Sequence, residues 1–244
     1  MTEPLFIAEV ADKCVGDVVN VAGSEGRHAV SVKRLRVGES VLLADGLGHG
    51  IRGEVIETGK NVFSVRVGNV LQAPQRPIRW TAVQGLAKGP RSDIAIEALT
   101  ELGVDEIIAW QAFRSVVRWE KKADKGIAKW QSTVREASKQ SRRLAIPEIS
   151  YADAAQIAKR ISEADCALIL HEDSKTGLSE IELPKSGEIL FVIGPEGGIS
   201  PEEVEQFESA GGKLVGLGEQ VLRTSTAGLV ALSQLQILSQ LGAA

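Results

Sequence analysis

Apolar and polar positions alternate with a period of two along the first third of the chain. Leu5–Val10, Val18–Ala22, Ser40–Ala44, Ile51–Glu57 and Val62–Val67 each read as a short strand with Val, Ile, Leu or Phe on one face. Glycines and the pair Asp45-Gly46 punctuate them as turns. Ser24–Leu35 is the exception, where the pattern predicts a short helix capped by Ser24 and ended before Gly38. A small β-barrel with one helix is the expected result. Ala73-Pro74-Gln75-Arg76-Pro77 follows; its two prolines hold the chain extended and mark a linker, so the first domain is expected over 1–73 and the second over 74–244.

Beyond the linker the period changes. Strands are predicted at Trp80–Leu86, Asp105–Trp110, Cys166–Leu170, Ile189–Ile193 and Lys213–Leu217. Between them lie helical patterns at Ser92–Leu102, about Trp119–Arg143, Asp153–Glu163, Pro201–Ala210 and Thr226–Leu241. Continuous apolar strands between amphipathic helices imply an α/β domain with a mostly parallel sheet covered on both faces. Ligands bind such sheets beyond the carboxyl ends of the strands. Two loops there stand out, Gly194–Ser200 and Leu217–Thr226.

Composition agrees with a soluble globular chain: 244 residues, 43% hydrophobic and 25% charged, too apolar for a disordered tail and too large to need disulfide staples. The longest apolar runs, Cys166–Leu170 and Ile189–Ile193, are too short to span a bilayer, so no membrane association is expected. The opening MTEPLFIAEVADK has an early acid and no long apolar stretch, unlike a secretory signal. Cys14 and Cys166 are far apart and have no metal-ligand spacing, which suits a reduced, cytoplasmic setting without a bound metal.

Net charge is −4 but unevenly spread. From Arg114 to Arg143 ten basic residues face three acidic ones, a net +7, whereas Leu144–Leu222 carries fifteen acids against five bases, a net −10. Arg27, Lys33, Arg34 and Arg36 form a second basic cluster. Such segregation gives a polyanion-binding face on an acidic protein, or simply solvated helix faces.

Gly194-Pro195-Glu196-Gly197-Gly198 joins a strand to a helix opened by Ser200-Pro201-Glu202-Glu203, a Ser-x-x-Glu capping box with proline in the first turn. Glycine-rich turns in this position often hold phosphate. This one lacks Gly-Lys-Ser/Thr and the G-x-G-x-x-G spacing, and Glu196, Glu202 and Glu203 occupy the place of the phosphate charge. A cationic or neutral ligand suits it better, and a sulfonium carrying an amino acid and adenosine qualifies. A purely structural turn is the plain alternative. The second loop, Leu217 to Gly228, would rim the same pocket, with its backbone reading an adenine edge between Leu217 and Leu222, and with Thr224 or Ser225 capping the last helix.

Taken together, Ile193-Gly194-Pro195-Glu196-Gly197-Gly198 and Leu217-Gly218-x-x-Val221-Leu222-Arg223-Thr224-x-Thr226-Ala227 resemble the SPOUT class of methyltransferases, and within it the small-subunit ribosomal RNA N3-uridine methyltransferases. Arg27-His28-x5-Arg34-Leu35-Arg36-Val37-Gly38 with Asp45-Gly46 is similar to that family's PUA-like N-terminal domain. Lys88-Gly89-x-Arg91-x-Asp93, Thr100–Val104, Glu136-Ala137-x-Lys139-Gln140-Ser141, Ile146–Ile149 and His171-Glu172 resemble its catalytic domain, so the likeness covers nearly the whole chain.

The resemblance implies a SPOUT domain with a deep trefoil knot, a homodimer packed through it, S-adenosyl-L-methionine as cofactor, and 16S rRNA or the small ribosomal subunit as partner. It implies cofactor contacts at Leu170, His171, Gly194, Pro195, Glu196, Gly197, Gly198, Leu217, Gly218, Leu222, Thr226 and Ala227. Arg223 is expected to face the substrate and stabilise negative charge on uracil, with the proton passing to water or Glu196. RNA contacts are expected at Arg27, His28, Lys33, Arg34, Arg36, Lys88, Arg91, Arg114 and Arg118. The four tryptophans are expected to pack in the core or an interface rather than stack on bases. One departure stands out: the family commonly has Arg-x-Glu-Thr-Ala where this chain has Arg223-Thr224-Ser225-Thr226-Ala227. A tRNA-directed SPOUT enzyme, a non-catalytic assembly factor and a nucleotide-dependent enzyme are the rival readings.

Overall fold

Residues 3–241 are described by the computed structural model, and they divide into two units. One runs to Gln75 and takes in Arg135–Ile146; the other comprises Arg76–Val134 and the chain from Pro147 onward.

In the first unit β1 (Leu5–Ile7), β2 (Val18–Val21), β3 (Ser40–Ala44), β4 (His49–Gly59) and β5 (Val62–Gln72) form one sheet in the order β1-β3-β4-β5-β2. β1 and β3 are parallel and the other neighbours antiparallel. β4 and β5 extend further than their alternation predicts, and register shifts at Arg52/Gly53 and Val55/Glu57 bend the hairpin. Phe6 of β1 and Val19 of β2 lie on opposite edges of the sheet yet share one core with Leu43, Ile51 and Phe63, so the sheet curls over it.

The helix expected over Ser24–Leu35 is split. α1 covers Gly23–Arg27, and His28–Val32 widens into a π turn in which Lys33 N–H bonds the His28 carbonyl at 3.0 Å. Ser24 does not cap it: the N-cap is Ala22, because the chain enters through Gly23 at φ 70°, and no side chain bonds there. Arg34 then takes φ 55° and Leu35 N–H bonds the Ala29 carbonyl at 3.0 Å, which turns Leu35 into the core.

Residues 135–146 complete this unit. Arg135 Nη2 and Lys139 Nζ bond Glu25 Oε1 at 3.0 and 3.3 Å, and Ile7 N–H donates to Glu25 Oε2 at 3.4 Å. The Lys139 side chain is only 7% exposed. Two of the ten cations between Arg114 and Arg143 are therefore committed to the buried Glu25 carboxylate, Lys139 from within and half-buried Arg135 from the surface.

The second unit is built on β6 (Ile78–Gly85), β7 (Glu106–Trp110), β8 (Glu148–Ala152), β9 (Cys166–Leu170), β10 (Gly187–Ile193) and β11 (Lys213–Val215), in the order β11-β9-β10-β6-β7-β8. Every pairing is parallel. The edge strand β8 escapes the sequence pattern, since Glu148-Ile-Ser-Tyr-Ala152 is only part-buried and directly follows Pro147. α2 (Pro90–Glu101) and α6 (Thr224–Leu241) pack together on one face, and α4 (Ala154–Glu163) and α5 (Pro201–Ser209) on the other. α3 (Ala123–Gln140) follows a 3-10 turn at Glu120–Lys122 and is shorter at both ends than its pattern suggests. Trp80, Trp110 and Trp130 are buried, and half-buried Trp119 packs edge-on to Trp130 at 5.1 Å, so the tryptophans serve packing.

Because all six strands run the same way, the loops after β6, β7, β9, β10 and β11 gather at one edge of this sheet. The opposite edge is closed by charge. Arg160 forks onto Glu106 at 3.1 and 2.9 Å and reaches Glu188 at 2.8 Å, while Arg79 bonds Glu106 and Glu148 at 3.2 and 3.1 Å. No described helix is long and apolar enough to cross a membrane.

Candidate functional site

The turn after β10 is folded by its own sequence. Gly198 N–H bonds the Pro195 carbonyl at 2.9 Å with Gly198 at φ 73°, a conformation that favours glycine. Ser200 then opens α5 with a complete capping box: its hydroxyl accepts from Glu203 N–H at 3.3 Å and Glu203 Oε2 accepts from Ser200 N–H at 3.1 Å. The turn sits hard against β6, where a Cβ on Gly85 would stand 2.6 Å from Pro195 N. No other residue fits there without displacing the turn.

Glu196 fastens this turn to the loop before α2. Its Oε1 accepts from Lys88 N–H at 3.0 Å and from Arg91 Nη1 at 3.4 Å. Partial burial pushes the Glu196 carboxyl up, but these bonds, its own N–H and the Arg91 charge outweigh burial and hold it below the usual carboxylate range. The donors that fix Glu196 in place thus also lower its basicity.

The loop after β11 faces that turn across a cavity of about 570 Å3. Ile193–Ile199 line one side and Gly216–Thr224 the other, with Leu170, His171, Glu172, Arg91 and Ala227 completing the wall. The stretch Gly218–Leu222 lines the cavity and makes no turn or ladder hydrogen bond with the described residues, so its backbone polar groups have bonding capacity in hand. His171 Nδ1 accepts from Asp173 N–H at 3.2 Å, an arrangement that puts the proton of the neutral ring on Nε2. Leu170, Leu217 and Leu222 are the apolar wall; Glu172, Glu196 and Glu219 bring three carboxyl groups and Arg91 and Arg223 two cations.

Arg223 ends the loop and starts α6. Its carbonyl accepts from Thr226 N–H and Ala227 N–H, both at 2.9 Å, and from Thr226 Oγ1 at 3.2 Å. Thr224 and Ser225 lie inside the helix rather than capping it, and the Thr224 hydroxyl instead takes a bond from Gln84 Nε2 at 3.0 Å.

Leu170, His171, Gly194, Pro195, Glu196, Gly197, Gly198, Leu217, Gly218, Leu222, Arg223 and Ala227 thus meet around one cavity. Thr226 does not line it, being spent on the first turn of α6. Of the expected RNA contacts, Arg91 is on the wall, Lys88 stands exposed beside it, and Arg114 and Arg118 are exposed in the loop after β7. Arg27 and His28 border a shallow cleft of the first unit with Gly23, Ser24, Val32 and Asn61, and Lys33, Arg34 and Arg36 are exposed on the following turn. Sequence reasoning passed over Gln84, because a buried amide inside an apolar strand carries no motif. It also passed over Glu172 and Glu219 as wall residues, though both adjoin motifs that were read.

The chain matches an RNA methyltransferase domain family over residues 74–236 and an RNA methyltransferase PUA domain family over residues 21–67. It is 40% identical to ribosomal RNA small subunit methyltransferase E of Mycobacterium bovis across 92% of this chain and 88% of the relative. The corresponding Bacillus subtilis protein is 34% identical across 91% of each chain. Among solved structures, ribosomal RNA small subunit methyltransferase E from Neisseria gonorrhoeae bound to S-adenosyl methionine superimposes with a TM-score of 0.86, at 29% identity, covering 97% of this chain and 98% of that one. The two units therefore have the PUA-like and SPOUT α/β folds of that group.

Proposed function

The chain belongs to the ribosomal RNA small subunit methyltransferase E family, and on that premise we propose that it methylates N3 of one uridine in 16S ribosomal RNA. It is an S-adenosylmethionine-dependent rRNA methyltransferase. The observation that carries this reading is the convergence of the Ile193–Ile199 turn and the Gly216–Thr224 loop on one cavity with Arg223 at its end.

The donor set fits a sulfonium nucleoside. Carboxyl groups at Glu172, Glu196 and Glu219 offset positive charge, the three leucines offer an apolar slot for adenine, and the backbone of Gly218–Leu222 can read the ring's edge. When bound, S-adenosylmethionine supplies an electrophilic methyl group. The protein's part is to place the uracil in line with it and to exclude water, which favours a step that disperses charge. Uracil N3–H is a weak acid, so the ring must lose its proton as the nitrogen attacks. The Arg223 guanidinium stabilises the negative charge that then grows on the uracil oxygens. Glu196, satisfied by Lys88 and Arg91, acts as a clamp on the cofactor turn, Glu172 and Glu219 are assigned to the sulfonium charge, and Ser225 is no carboxylate; the proton is taken by water.

Residues 1–73 act as the RNA-gripping PUA-like domain through Arg27, His28, Lys33, Arg34 and Arg36, and 74–244 as the methyltransferase, with Lys88, Arg91, Arg114 and Arg118 around its site. A deep trefoil knot in the second unit is supported by the Gly177–Gly216 bridge, where Gly216 N–H bonds the Thr176 carbonyl at 2.9 Å and lays the stretch after β9 against the chain leaving β11. Homodimerisation is supported by exposed Ile94 on α2 and Ile237 on α6, two helices packed side by side. A cytoplasmic setting belongs to the same reading, since its substrate is ribosomal RNA.

Mass spectrometry of 16S rRNA from a deletion strain tests the reading. One N3-methyluridine is expected to vanish and to return on complementation. An unchanged methylation pattern would overturn it.

A further inference from the structure

The loop after β7 is braced on both sides of its tip and turns its most apolar side chains to solvent. Ser115 N–H bonds the Ala112 carbonyl at 3.0 Å, closing a tight turn with Phe113 and Arg114 at its corners. Phe113 N–H donates to Glu203 Oε1 at 2.8 Å, and Arg114 Nη1 lies 3.5 and 3.4 Å from the Gly197 and Ile199 carbonyl oxygens. A Cβ on Gly197 would stand 2.8 Å from the Arg114 carbonyl oxygen, so the two loops are in backbone contact. The Phe113 turn is thereby fixed to the same turn that lines the cavity.

Phe113 is nonetheless 73% exposed, and Val116 is 70% exposed. An aromatic side chain on a braced backbone contributes nothing to the core from there, but it meets a ligand at little entropic cost. Residues 112–118 contain two arginines and no acid. Arg114 is engaged with the glycine turn, while Arg118 is exposed and free of a carboxylate partner among the described residues. Glu203 at the Phe113 N–H and Glu202 near Arg114 oppose part of this charge, but an exposed ring five residues before an arginine without a carboxylate partner is complementary to a nucleobase and its phosphate, and less so to an apolar protein surface.

We propose that Phe113 is a stacking platform for an unpaired base of the RNA substrate adjoining the nucleotide that enters the cavity, with Arg118 taking the neighbouring phosphate. The assignment rests on the chain being an rRNA methyltransferase. A base drawn out of a stack leaves its neighbour with an uncovered face, and Phe113 covers it.

The test measures binding of the full-length protein to small ribosomal subunits and S-adenosylmethionine for wild type, Phe113→Ala, Phe113→Leu and Phe113→Trp. Phe113→Ala is expected to weaken subunit binding at least about five-fold. Phe113→Leu should stay weak and Phe113→Trp should recover, all with unchanged S-adenosylmethionine affinity and sedimentation mass. Wild-type binding by Phe113→Ala or Phe113→Leu would overturn the proposal, as would a halved mass in Phe113→Ala, which would mean that a second copy of the chain covers the ring. Wild-type protein that binds subunits but transfers no methyl group would defeat the methyltransferase reading, while the aromatic dependence of binding would still decide the role of Phe113.

Discussion

Gln84 Nε2 donates to Thr224 Oγ1 at 3.0 Å, joining the carboxyl end of β6 to the first turn of α6 one residue past Arg223. Gln84 is fully buried, its Nε2 also bonds the Gly85 carbonyl at 3.1 Å, and its Oε1 has no partner among the described residues. A buried amide left half-satisfied costs stability, and its bond to Thr224 suits a role in aiming the loop. Gln84→Leu removes the bond along with the unpaired oxygen. Methyl-transfer kcat is expected to fall about ten- to a hundred-fold, with cofactor affinity and unfolding midpoint little changed. A parallel loss of stability would assign Gln84 to the core alone.

Arg223→Ala should abolish methylation, a loss of about a hundred-fold or more, while calorimetric binding of S-adenosylmethionine is retained. The Arg223 backbone carbonyl, which anchors the first turn of α6, survives the substitution. If cofactor binding disappears as well, the side chain shapes the cavity instead of serving the substrate.

Glu196→Gln tests the clamp against the general-base role. Loss of the carboxylate charge weakens the bonds to Lys88 N–H and Arg91, so S-adenosylmethionine affinity should fall about ten-fold. The pH profile of single-turnover transfer should keep the wild-type shape, because a carboxyl held below its ordinary value is ionised throughout the neutral range. A rate that collapses with cofactor binding intact would make Glu196 the proton acceptor.

Acid should loosen the second unit through Glu106. Burial pushes this carboxyl up, but hydrogen bonds and charge from Arg160 and Arg79 outweigh burial and hold it below its ordinary 4.5. A carboxyl depressed on folding stabilises the protein fully above its unfolded value, and that contribution is lost as pH falls through the folded value. Glu106→Gln should therefore lower the denaturant midpoint at pH 7 by an amount that shrinks below about pH 4. A difference independent of pH would remove the charge from the explanation.

Local pattern determined a great deal in this chain. Cys166–Leu170 and Ser40–Ala44 have the bounds that their apolar runs prescribe, and the Ser200–Glu203 capping box forms as written, because each depends on neighbours a few residues away. The two loops were also legible as partners, since both leave parallel strands at their carboxyl ends and lead into helices. Tertiary structure decided what depends on distant residues. Edge strand β8 exists because β7 offers it a ladder, and Ser24 loses its cap to an entry angle set by Gly23. Arg135 and Lys139 read as solvated cations until Glu25, more than a hundred residues earlier, appears beside them. Glu196 looked like a free carboxylate until Lys88 and Arg91 closed on it. Sequence states which groups are present, but hydrogen bonding and burial, which set their charge and basicity, arise only when folding brings separate strands to one edge.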